Sequence, residues 1–214
     1  MIRLSRSLRP LRSSVVSALA GLLVLGASAS ALASDWDIDA GHSRVGFAVK
    51  HMMVSTVHGT FGKYTGTVAL DDADVTKSKA HLEIDATSIT TDNEKRDEHL
   101  KSPDFFDVAH FPKIVFDSTK VDRYGSDGLA LTGNLTIKNV TKPVVLTVSS
   151  LSGEIKDPWG MTRRGATAQA KISRKEFGLN WNKALETGGV VVSDDVTIEL
   201  EVELVKHAPP AAKK

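Results

Sequence analysis

Seven histidines carry most of the chemistry this sequence could offer: His42, His51, His58, His81, His99, His110 and His207. None forms the H-E-x-x-H pattern that sets two ligands on one helix face for zinc. A metal site assembled from His42, His58 or His110 stays open, against histidines that simply face solvent near strand ends. Ser43 follows His42, but adjacent strand residues point apart, so the pair is poorly placed for nucleophile and base. No G-x-S-x-G is present. Arg96-Asp97-Glu98 and Asp104 read as a solvated face rather than paired catalytic carboxylates. Gly188-Gly189 reads as a turn, since the phosphate-binding glycine patterns are missing. Arg163-Arg164 would suit an anionic head group or, more simply, a surface. No residue stands out as catalytic, and no metal or catalytic cofactor is expected.

The first 33 residues complicate the charge. The chain of 214 residues has a formal net charge of +1. Arg3, Arg6, Arg9 and Arg12 supply four of its 27 basic residues; without them 23 stand against 26 acidic ones, a net of −3. Such a body argues against nucleic acid. After the arginines an apolar stretch runs from Val15 to Ala27, and Ala31-Leu32-Ala33 offers a small-residue cleavage site. Residues 1–33 are therefore expected to be a cleaved secretory signal; the rival, an uncleaved anchor, is short of the roughly 20 apolar residues that span a bilayer. With no cysteine in the chain, disulfides, thiolate chemistry and cysteine-linked lipids are excluded. Export without cysteine points to a bacterial periplasmic or secreted protein.

The remaining residues must position whatever chemistry exists, and their dominant period is two. Val45, Phe47, Val49 and His51 share one face. Val196, Ile198, Leu200, Val202 and Leu204 alternate with Thr197, Glu199, Glu201 and Glu203, which only a strand separates cleanly. Segments at 58–71, 79–86, from 114, 129–137, 144–148 and 165–173 repeat the pattern, with a bulge expected near Gly62 between Phe61 and Tyr64. Turns are read at Asp71–Asp74, Tyr124–Gly128, Asn139–Pro143 and Asp157–Gly160. About eight strands with few helical periods imply an antiparallel sheet, either closed into a barrel or split into two packed sheets. One short polar helix is expected from Glu94 to Lys101, capped by a Thr91/Glu94 box, with Asp97 and Lys101 placed to pair. It would lie across one end of the sheet, docked by Phe105-Phe106, and would gate the interior if it opens. Residues 207–214 read as a frayed tail.

An inward face mixing bulky residues with Gly133 and Ala166–Ala170 allows either a cavity or a filled core. Phase places Val45, Phe47, Val49, Phe61, Leu82, Ile84, Phe116, Leu131 and Leu135 on the lining. His51 is expected near one mouth. Trp159 and Trp181 sit near turns, where they would close an end, stand at a rim or plug the interior.

The sequence resembles the YceI-like family of periplasmic polyisoprenoid-binding proteins. The words that carry the likeness are Trp36-Asp-Ile-Asp39, His42-Ser-Arg-Val-Gly-Phe47, Val49-Lys-His51, Gly59-Thr-Phe61, Ser88-Ile-Thr-Thr91, Arg96-Asp-Glu-His-Leu-Lys-Ser102, Asp104-Phe-Phe-Asp107, Phe111-Pro112 and Ile172-Ser-Arg174 with Phe177-Gly178. The resemblance implies an all-β, eight-stranded, antiparallel lipocalin-like barrel over residues 34–206 with the short helix at one end. It also implies a long isoprenoid or similar lipid in the interior, carried or stored without catalysis. Transient membrane contact and a homodimer are the partners it suggests. A filled-core interaction module and an exported metal-dependent or lipid-modifying enzyme are the alternatives.

Overall fold

The computed structural model describes residues 33–186 and 188–207. The expected signal segment, Ala33 apart, and residues 208–214 of the expected tail lie outside the described residues.

Among the described residues, alternation of apolar and polar residues resolves into twelve strands of one antiparallel sheet. In chain order they are β1 (Ser34–Ile38), β2 (Arg44–His51), β3 (Ser55–Phe61), β4 (Tyr64–Leu70), β5 (Lys79–Asp85), β6 (Ile89–Thr90), β7 (Lys113–Tyr124), β8 (Gly128–Ile137), β9 (Val140–Leu151), β10 (Ile155–Lys156), β11 (Thr162–Ser173) and β12 (Val192–Lys206). β1 and β2 lie end to end along β12, which is long enough to hold both: β1 pairs with its last residues and β2 with Val192–Glu201. β3 and β4 repeat the arrangement beside β2 and β1. These two broken staves, with β5, β7, β8, β9, β11 and β12, make eight staves that each pair antiparallel with the next. Pairing of β11 with β12 over eleven positions closes the ring. The choice left open by periodicity is thereby decided for a barrel, and closure removes the edges that an open sheet would expose.

The interruption between Phe61 and Tyr64 falls at Gly62 and Lys63, as the shift of face requires, and both aromatic residues are buried. Four local readings change. β9 begins at Val140, so the preceding turn is Lys138-Asn139, with Lys138 at φ 55°, and Pro143 lies within the strand opposite Asn134. The helix α1 (Glu94–Lys101) has Asn93, not Thr91, as its cap; the Asn93 side chain accepts from the Arg96 amide. A cap needs extended backbone one residue before the helix, and Asn93 has it. Thr91 and Asp97 are engaged elsewhere, so the expected Asp97–Lys101 pair does not form. Finally, His207 is tied down: its amide donates to the Asp35 carbonyl and its ring meets Asp37 at 2.6 Å.

Among the described residues, no helix is long and apolar enough to cross a membrane.

Candidate functional site

Inward-facing residues of the eight staves enclose two apolar cavities, of about 140 Å³ and about 130 Å³. The first lies toward α1. Val45, Phe47 and Val49 of β2, Phe61 of β3, Ile84 of β5 and Leu135 of β8 line it. The second lies toward the other end of the barrel and takes in Leu131, Ala166, Ala168 and Leu204. Leu82, Phe116, Leu146 and Leu200 line both. The two chambers thus adjoin at a waist built from β5, β7, β9 and β12.

Strand phase therefore places Val45, Phe47, Val49, Phe61, Leu82, Ile84, Phe116, Leu131 and Leu135 on the interior, where the alternation puts them. Three expected site residues do not line the chambers. His51 shares the phase of Val49 and ends β2, half-buried opposite Val192, which borders the first chamber, so it stands at the edge of that chamber and not on its lining. Trp159 is 83% exposed on the turn between β10 and β11, so it plugs nothing. Trp181 does not line a chamber; it packs at the α1 end, edge-on to His99 at 4.8 Å and tilted against Phe105 at 5.3 Å. Periodicity speaks only for residues inside strands, and both tryptophans lie in connections.

The α1 end is closed by Leu100, Phe105 and Phe106, all of which line the first chamber. Asp97 fastens this closure. Its carboxylate accepts from Thr90 Oγ1 at 3.0 Å, the Thr91 amide at 2.8 Å and Thr91 Oγ1 at 2.5 Å. Burial pushes the carboxyl pKa up, but the hydrogen bonds from Thr91 and Thr90 outweigh it, so the group is held below its ordinary value. Arg96 donates to Thr91 Oγ1 and to the Thr91 carbonyl, completing the knot. The acidic run that looked like a solvated face is in part a buried fastening.

Arg174 also borders this chamber and is 3% exposed. Its guanidinium donates to the carbonyls of Leu179, Trp181 and Ser193, so it pins the segment after β11 to the start of β12. Desolvation lowers its pKa, with Asp194 opposing. Periodicity had no way to single it out; the motif Ile172-Ser-Arg174 was the only signal.

At the far end Trp36, fully buried, packs with Leu70 and Leu204. Register puts Lys206 opposite Trp36 and Arg164 opposite Leu204, on the inner face. Their cationic groups lie 5.2 Å and 5.9 Å from the Trp36 ring, an attractive geometry. Arg163 points outward instead. It donates to Asp157 and Asp39, each at 2.7 Å, and to Glu203. The Arg163 and His42 hydrogen bonds hold Asp39 at a pKa of about 2. Asp39, His42 and Glu203 have ligand atoms within 4.8 Å of one another, but the Arg163 guanidinium already supplies the positive charge between the two carboxylates. That arrangement is an ion-pair knot beside the gap between β1 and β2.

Comparison with known proteins places this architecture. Residues 36–204 match the family described as YceI-like domain. The chain belongs to the YceI-like family. Within that family it is 36% identical over 198 residues to a UPF0312 protein of Serratia proteamaculans, covering 92% of this chain and 98% of that one. The YceI protein of Campylobacter jejuni, a solved structure, superposes with a TM-score of 0.64 at 29% identity, over 74% of this chain and 90% of the other. A polyisoprenoid binding domain from Saccharophagus degradans shares the fold at a TM-score of 0.59 and 18% identity, covering 82% and 99% of the two chains. YceI-like membership accounts for the whole barrel from Trp36 to Leu204, the first and last residues of the match, which pack against each other in the plug.

Proposed function

We propose that this YceI-like protein binds one long apolar lipid, an isoprenoid of quinone or polyprenyl type, inside its barrel and carries or stores it in the periplasm. The observation that carries this reading is the pair of adjoining apolar chambers. Val192 borders the first and Leu204 the second. The register shift between Val192 and Val196 sets four residues of β12 opposite two of β2, so the span holds about ten strand steps; at about 3.3 Å each and a tilt of about 40° the interior is roughly 25 Å long. One leaflet's acyl chain reaches about half of a roughly 30 Å hydrocarbon layer. A single acyl chain therefore leaves part of the interior empty; a polyprenyl chain suits the whole.

Burial of apolar groups supplies the driving force, about 0.8 kcal/mol per methylene before the cost of ordering the chain. No chemical step is required. The fold shared with the Saccharophagus degradans polyisoprenoid binding domain supports the same ligand class. The secretory pattern of residues 1–33 supports the compartment, and transient contact with a membrane would load and unload the barrel.

Mass spectrometry of an organic extract of the purified protein tests the reading. Stoichiometric long-chain lipid is the expected result. An extract empty of such lipid, from protein that also fails to take up added polyprenols, would leave the interior as ordinary packing and favour an interaction module. Native mass spectrometry of the same sample reads the number of copies and tests for a homodimer.

A further inference from the structure

The waist between the chambers is built on an aromatic ring set over a glycine. Phe116 is buried, 6% exposed, and belongs to the inner face of β7. Its ring lies over Gly133 of β8: a Cβ built on Gly133 would come 2.3 Å from Phe116 Cζ and 2.6 Å from Cε2. Gly133 shares the inward phase of Leu131 and Leu135, so the space its side chain would occupy is lumen. The ring is berthed in that space, against the barrel wall. The lumen facing it is bounded by Leu200. β7 and β12 are four staves apart in either direction round the ring of eight, so Phe116 and Leu200 face each other across the bore. Leu82 and Leu146 complete the constriction.

We propose that the berth of Phe116 on Gly133 sets the bore of this waist and makes it the determinant of chain length: with the ring berthed, one linear polyprenyl chain threads both chambers. This inference rests on the lipid-binding reading above. Side chains at this density have nowhere to retreat except an existing gap. Gly133 provides that gap, and any larger residue there lifts the ring into the bore. A ligand short enough for one chamber touches the waist from one side without passing it; a ligand that needs both chambers must pass it. Selectivity then resides in Phe116, Gly133 and Leu200 rather than at the ends of the barrel.

The test compares farnesol with solanesol, a short and a long linear polyprenol, by displacement of a fluorescent fatty probe from the delipidated full chain. Leu200→Phe narrows the waist from the wall opposite the berth. Because Leu200 borders both chambers, farnesol should weaken somewhat too, and the readout is the ratio: solanesol should weaken about tenfold or more beyond farnesol, the scale of discrimination an apolar constriction achieves. Gly133→Ala should act in the same direction, and Phe116→Leu added to it should restore solanesol by removing the displaced ring. Because Gly133→Ala also brings a Cβ to 2.6 Å from the Asp117 carbonyl oxygen, Leu200→Phe is the decisive variant if the alanine protein does not fold. Equal weakening of both alcohols, or solanesol unaffected in Leu200→Phe, would overturn the waist while leaving lipid binding in place. Wild-type protein that binds neither alcohol would overturn both.

Discussion

Replacing Asp97 by alanine or asparagine isolates the fastening of α1. The carboxylate accepts three hydrogen bonds, two of them from Thr91, which is itself 6% exposed. Bonds to an ionised acceptor contribute about 1.5–3 kcal/mol each, while an abandoned buried amide costs about 1–3 kcal/mol. Alanine removes the acceptor and strands the Thr91 amide; shared solvation and non-additivity bring the net loss to about 3 kcal/mol. Asparagine keeps one oxygen for Thr91 and can turn its amide toward Thr90 Oγ1, so about 1 kcal/mol is expected. For a body of this size each kcal/mol moves Tm by about 2–4 °C, giving about 6–12 °C for alanine and about 2–4 °C for asparagine. Far-UV circular dichroism melts at neutral pH measure both. A shift below about 2 °C in alanine would mean that Asp97 does not fasten α1, and equal shifts in the two variants would mean that asparagine fails to keep the Thr91 bonds.

Three further outcomes are expected. Asp39 is held at about 2, below its ordinary 3.8, mainly by the Arg163 hydrogen bond; a depressed carboxyl adds stability above its unfolded pKa and loses it as pH falls through the folded one. Urea midpoints should therefore drop between about pH 4 and about pH 2, and drop less in Asp39→Asn. Phe47→Arg puts a charge on the wall of the first chamber and should abolish lipid uptake in whatever fraction folds; full uptake by a folded variant would place the side chain outside. Trp36→Ala should cost about 3–5 kcal/mol by emptying a fully buried site, whereas Trp159→Ala should stay within about 0.5 kcal/mol, as paired urea titrations would show.

Much of the barrel was legible in the residues. Alternation along β2 and β12 told inside from outside because a strand has a period of two, and closure does not alter that phase. The same phase carries His51 to the edge of the first chamber, where β2 ends. Alternation was silent on β1, whose five residues are too few to show a period, and on Trp159 and Trp181, which lie in connections. Asp97 looked solvated because it sits in a charged helix; its partners, Thr90 and Thr91, precede that helix on β6 and just beyond it.

By itself the sequence determined which side chains face inward, where α1 lies, and the family of the chain, since all three rest on local period, local propensity or ordered motifs. Only the tertiary structure decided that β12 pairs with both β1 and β2, that Arg174 braces one end and Trp36 plugs the other, and that Phe116 shares the space of Gly133 to make a waist. Those features join residues far apart in the chain. Contacts across a closed ring depend on register and stave count together, and no window of sequence contains both.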